Sequence, residues 1–206
     1  MRSGKLLLLV VGLWSCDSVA DPSVYEHEAG STRDESELQF VRFPAALAPL
    51  AETSGAVWAV KGQNRVVSLR YRTSSGPGSD EFMRFEIPAN ALLRRPTSEL
   101  FQPGDSVRIS VQLGTDRRLL FHFEPSGLQF NPNDPARLRI DYRRLDGDLN
   151  GDGRVDDADT RLEVLTRIWC QEQPGGSWYP METTKDDAAD EVRTPVKSFT
   201  GFVIAA

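Results

Sequence analysis

From Phe40 onward, apolar side chains recur at every second position in short runs. "FMRFEIP" sets Met83, Phe85 and Ile87 on one side. "SVRISVQL" alternates Val107, Ile109, Val111 and Leu113 with Arg108, Ser110 and Gln112. "LLFHFE" puts Leu119, Phe121 and Phe123 on one face, and Leu120, His122 and Glu124 on the other. "RLRIDYR" alternates Leu138, Ile140 and Tyr142 with Arg137, Arg139, Asp141 and Arg143. Two shorter runs, "AVWAV" and "RVVSLRY", flank "KGQN", which reads as a hairpin turn. "TSSGPGSDE" reads as a loop. Period-two segments punctuated by Pro and Gly predict an all-β fold, an antiparallel β-sandwich or a barrel-like fold, over residues 39–206.

The chain begins differently. "MRSGK" supplies Arg2 and Lys5, and "LLLLVVGLW" follows as an apolar run too short to span a bilayer. This is the pattern of an export signal. Leu13, Trp14, Ser15 and Cys16 resemble the bacterial lipobox. The resemblance implies cleavage before Cys16, diacylation of its thiol, and attachment to the membrane of the bacterial cell envelope, periplasmic or at the cell surface. Residues 1–15 are then a lipoprotein-type signal peptide. Cleavage after Ala20, in "SVA", is the competing reading and would discard Cys16.

Charge changes the picture mainly between these two parts. Seven acids (Asp17, Asp21, Glu26, Glu28, Asp34, Glu35 and Glu37) face only Arg33, which matches the −6 of the whole chain. Residues 16–38 are therefore expected to be an acidic tether, unable to bury enough apolar surface to offset its ordering entropy. No basic footprint suits nucleic acid; Arg65, Arg70 and Arg72 read as a solvated strand face. With two cysteines, one acylated or removed, Cys170 has no intrachain partner and reads as a packed or edge residue.

The densest chemistry lies in "DGDLNGDGRVDDAD", residues 146–159, with six aspartates and Asn150 around one cation, Arg154. Counting Asp148 as position one, Asn150 falls at three, Asp152 at five, Gly153 at six, Arg154 at seven, Asp156 at nine and Asp159 at twelve. That is the spacing of an EF-hand-type calcium loop. A hard cation takes about six to eight oxygens. Side chains at alternate positions supply them, Arg154 gives its carbonyl, and Asp159 closes the cage as a bidentate ligand. A Ca²⁺ ion would cancel the repulsion among these carboxylates. The closing Asp, in place of Glu, resembles the loop of dockerins, which carry two such loops where this chain has one. "RLEVLTRIWC" after the loop alternates Leu162, Val164, Thr166, Ile168 and Cys170. A strand is preferred there, over a helix using Ala158, Leu162, Leu165 and Trp169, so that the loop is inserted between two strands.

"FMRFEIPANAL", "FHFEPSGLQFNPNDPARLRIDY" and "VKSFTGFVIAA" resemble signature stretches of ZU5-type β-sandwich modules. The resemblance implies an interaction module, not an enzyme. Some ZU5 and related GAIN domains cut themselves at a His-hydrophobic-Ser/Thr tripeptide. Here the tripeptide is Ser198, Phe199 and Thr200, with serine where the base belongs, so a degenerate autoproteolytic domain is the weaker expectation. His27 and His122 assemble no triad or zinc set. The expected whole is a lipid-anchored envelope protein whose calcium-stabilised module binds or scaffolds an unknown protein or carbohydrate ligand. The alternative is a dockerin-like adaptor docking through the calcium loop. Trp58, Trp169 and Trp178 are the candidates to stack on sugars.

Overall fold

The computed structural model describes residues 32–43, 50–73, 76–198 and 201–206. Cys16, the export signal and the Phe199–Thr200 bond lie outside the described residues. Among the described residues the chain is an all-β fold of antiparallel strands with one α-helix. The strands are β1 (Ser54–Val60), β2 (Arg65–Thr73), β3 (Gly76–Ile87), β4 (Leu92–Arg94), β5 (Ser106–Leu113), β6 (Leu120–Glu124) and β7 (Gln129–Phe130). After them come β8 (Ala136–Asp141), α1 (Asp157–Leu165), β9 (Arg167–Gln171), β10 (Trp178–Pro180), β11 (Thr184–Asp186), β12 (Glu191–Val196) and β13 (Gly201–Ala205).

Two sheets face each other. One has the order β1-β5-β6-β13-β9-β10, the other β11-β12-β8-β3-β2; β4 and β7 form a short separate pair. The alternating residues do what their period dictates. Phe82 and Phe85 from β3 meet Phe121 and Phe123 from β6 at ring-centroid distances of 5.7 and 4.9 Å, closing the core between the sheets. Leu138, Ile140, Ile109 and Val111 are fully or almost fully buried in the same cluster.

Three local expectations change. The turn at Lys61–Asn64 does not close a hairpin: β1 pairs with β5 and β2 with β3, so it carries the chain from one sheet to the other. Lys61 donates through Nζ to the carbonyls of Asn90 and Leu92, and the Gly62 N–H donates to Ala89, anchoring the turn to a neighbouring loop. The loop expected at 73–81 is mostly strand, with β3 already running from Gly76. Residues 32–38, assigned to the tether, belong to the body. Arg33 and Trp178 exchange two backbone hydrogen bonds of 3.0 and 2.8 Å, and Gln39 and Ala206 exchange two more of 3.1 and 3.0 Å. Leu38 and Phe40 pack on Leu120, Trp169, Trp178 and Val203, a second small core on the outer face of the six-stranded sheet. Glu35 pairs with Arg118, whose guanidinium lies over the Phe40 ring.

Candidate metal centre

The loop leaves β8 through a short 3₁₀ turn, Arg143–Leu145, and bends at Asp146 and Gly147, both in the left-handed region. Its floor is tied to the N-terminal segment, because the Arg42 N–H donates to the Leu149 carbonyl at 2.8 Å. Gly151 (φ +75°) must be glycine twice over: a Cβ would stand 3.0 Å from the Arg42 Cβ and 3.3 Å from the Phe43 carbonyl oxygen. Gly153 (φ +89°) has open space around it, so backbone conformation alone demands glycine there.

The expected strand after the loop is a helix. Asp156 caps α1 by accepting from the Ala158 N–H at 2.7 Å, and Asp159 accepts from the Asp156 N–H at 3.0 Å, a reciprocal capping box. In helical register Asp159, Leu162 and Thr166 share the buried face, while Val164 and Leu165 are 73% and 61% exposed. The period-two face read across Leu162 and Val164 therefore does not form. Thr166 ends the helix, its hydroxyl donating to the Leu162 carbonyl at 2.6 Å, and β9 starts at the next residue. The loop is thus followed by a helix, as in EF-hand-type sites, and is not inserted directly between two strands.

The predicted ligand side chains all bond to backbone N–H groups. Asp148 takes Gly151 on Oδ1 (2.9 Å) and Gly153 on Oδ2 (3.0 Å). Asn150 and Asp152 accept from Asp152 and Arg154, each at 2.8 Å. Asp159 Oδ1 accepts from both Leu149 (2.8 Å) and Asn150 (3.1 Å). Each carboxylate oxygen has two lone pairs, so Oδ1 of Asp159 is saturated and only Oδ2 has capacity left. The bidentate role expected of Asp159 does not suit this arrangement; one oxygen fits. No hydrogen bond of the described residues uses the Arg154 carbonyl, and Arg154 itself is exposed.

Asp148 and Asp159 are only 6% and 3% exposed, yet neither has an ion pair among the described residues. The loop holds six aspartates against Arg154, a net −5, so the backbone donors satisfy hydrogen bonding but leave the charge uncompensated. Among the described residues no three His, Cys, Asp or Glu side chains converge as a closed metal cage. The donor set fits a hard cation in kind, being carboxylate, amide and carbonyl oxygen with no nitrogen or sulfur.

The other candidates resolve differently. Cys170 is buried in the core, and burial with nearby Glu172 pushes its thiol up to about 12. Trp169 and Trp178 are buried; Trp58 is 61% exposed. His122 is exposed on the outer face of β6, opposite Gly201 in register. A groove of about 510 Å³ on the five-stranded sheet places Arg84, Arg139 and Arg193 in one cross-strand row. Its carboxylates are committed, Glu81 to Arg84 (2.9 Å) and Arg139 (2.7 Å) and Glu86 to Arg84 (2.6 Å), and Glu191 outside its lining pairs with Arg139 (3.1 Å) and Arg193. The sequence pattern favoured a strand over the helix that it also allowed, and did not show the second role of Asp159. The Asp156–Asp159 capping-box spacing was the available signal. Among the described residues no helix is long and apolar enough to cross a membrane. Comparison with family models, curated proteins and solved structures gives no match.

Proposed function

We propose that the chain is an exported, lipid-anchored envelope protein whose all-β body is a calcium-stabilised binding or scaffolding module. The observation that carries the calcium reading is the pair of buried carboxylates, Asp148 and Asp159, with backbone donors but no cationic partner among the described residues. Asp148, Asn150, Asp152, Asp156 and Asp159 would hold the ion with the Arg154 carbonyl. The ion would supply the missing positive charge at the junction of loop, helix and N-terminal segment. A site of this charge suits extracellular calcium, with Kd on the order of 10⁻⁴ to 10⁻³ M. At a hundred times Kd, mass action adds about 2.7 kcal/mol of stability. Calorimetry and thermal unfolding of the mature chain, with calcium added and then chelated, test the reading. A binding heat and a reversible rise in melting temperature are expected; neither effect at millimolar calcium refutes it. The anchor is tested separately by incorporation of labelled palmitate in the bacterial host, expected for the natural chain and lost in Cys16→Ser.

A second reading, a dockerin-like adaptor, draws on Val155, Val164 and Leu165, exposed at 68%, 73% and 61% on the loop and α1. Capture by a cohesin-type partner, abolished by Leu165→Asp, would favour it over the first.

A further inference from the structure

Among the described residues, the outer face of the six-stranded sheet is covered on one side only. Leu38 and Phe40 close it over β13, β9 and β10. The part made by β1, β5 and the end of β6 is left uncovered by the described residues and holds a shallow groove of about 640 Å³, with Trp58 standing just outside its lining, next to Arg108. Strand alternation puts Ser54, Ala56 and Trp58 outward on β1, Arg108, Ser110 and Gln112 on β5, and His122 and Glu124 on β6. Register assembles them into three rows: Trp58 beside Arg108, Ala56 beside Ser110 and Glu124, and Ser54 beside Gln112 and His122.

We propose that this platform binds a neutral polysaccharide, with Trp58 as the stacking residue and Gln112, His122 and Glu124 as the principal hydroxyl-binding residues. A pyranose ring presents an apolar C–H face and a rim of hydroxyls. It needs a flat aromatic beside groups that both donate and accept, and these rows offer that combination. The indole stands on an edge strand, 61% exposed, so its face is accessible. The side chains of Arg108, Ser110, Gln112 and His122 have no hydrogen-bond or ion-pair partner among the described residues, so their hydrogen-bonding capacity is uncommitted; Glu124 accepts the Ser126 N–H on Oε2 at 2.9 Å and keeps Oε1. Ser54 and Ala56 are small and leave the groove open between the larger side chains. From row 54 to row 58 the platform is about 13 Å long at roughly 3.4 Å per residue, room for about two or three rings.

Charge selects the ligand. Among the described residues lining the groove, Arg108 and Glu124 carry the only formal charges, and they cancel. A polyanion meets no net attraction there, in contrast to a basic cleft. A protein partner would seek an apolar core with a polar rim, whereas Trp58 stands alone among polar groups. The platform lies on strands that do not carry the aspartate loop, so it is independent of the calcium reading.

The test is affinity electrophoresis of the mature chain through gels containing soluble neutral β-glucan, xylan or galactomannan, with polygalacturonate as the charged comparison. Retardation by at least one neutral polymer is expected. Trp58→Ala should weaken it roughly tenfold or more and Gln112→Ala roughly threefold or more, in line with loss of a stacking surface and of a hydrogen-bonding amide. Thermal unfolding of Trp58→Ala should match the parent, because the indole is outside the core. Oligosaccharide should also shift the tryptophan emission of the parent and not of Trp58→Ala. No retardation by any neutral polymer, equal retardation of Trp58→Ala, or retardation by polygalacturonate alone would overturn the proposal. Repeating the gels with chelator separates the two readings: sugar binding that persists supports the platform whatever happens to calcium binding.

Discussion

At the scale of single residues, two tyrosines with similar burial make opposite predictions. The Tyr71 hydroxyl donates to the Asp141 carbonyl at 2.6 Å, while the Tyr142 hydroxyl is buried without a partner among the described residues. Burial raises the pKa of both. Tyr71→Phe removes a made hydrogen bond and strands a carbonyl, at a cost of about 1–2 kcal/mol. Tyr142→Phe removes only an unsatisfied group, and stability should hold or rise slightly; urea unfolding of the two variants checks the contrast. Cys170 gives a pH dependence. Its folded pKa, about 12, lies above the ordinary 9.0, so the unfolded thiol ionises first. Stability is unaffected below about pH 9 and falls as pH rises from there towards 12. In the same window Tyr71 and Tyr142 act in the same direction, so Cys170→Ala should reduce the alkaline slope without removing it. The native thiol should resist a disulfide reagent at pH 8 and react only on unfolding.

At the scale of elements, the strands were legible because their signal is local. One buried face per strand forces period two, and Met83, Phe85, Ile87, Ile109, Val111 and Leu113 sit where that rule puts them. Partners were not legible. "KGQN" has hairpin composition, but long-range pairing of β1 with β5 decides the outcome. The helix was hidden for a different reason: α1 buries only Asp159 and Leu162 of its nine residues, so no apolar stripe announces it. Its start depends on a carboxylate that sequence reading assigned wholly to the metal. That double role yields a prediction. Asp152→Ala leaves the capping box and the bonds of Asp159 intact, so it should reduce the calcium-induced melting shift with little effect in chelator. Asp159→Ala removes three bonds to backbone donors, at Leu149, Asn150 and Asp156. It should cost about 1–3 kcal/mol even in chelator, and also abolish the shift. Melting curves of both variants with and without calcium separate scaffold from ligand. Equal losses in chelator would contradict the two roles.

At the scale of the whole molecule, the N-terminal segment decides which surfaces are core and which are free. Composition averages its first part into a tether, since Asp34, Glu35 and Glu37 crowd in ahead of Leu38. Position matters more: Leu38 and Phe40 fall where the outer face of the sheet carries Leu120, Trp169, Trp178 and Val203. Without that cover these side chains would form an exposed apolar patch beside the polar platform. The segment also reaches the aspartate loop through Arg42, so one strip of backbone links the second core to the candidate metal centre. If it is part of the fold, damage along it should scale with burial and not with charge. Leu38→Ala should cost about 2–4 kcal/mol, as for a buried leucine. Arg33→Pro, which deletes the N–H bonded to the Trp178 carbonyl, should cost about 1–3 kcal/mol. Glu35→Ala loses only a partly exposed ion pair with Arg118 and should cost less than about 1 kcal/mol. Leu38→Ala should also shift tryptophan emission to the red, because Trp178 and Trp169 gain water contact. Equal, negligible effects of all three substitutions would return residues 32–38 to the role of a tether and leave the second core to be covered by something else.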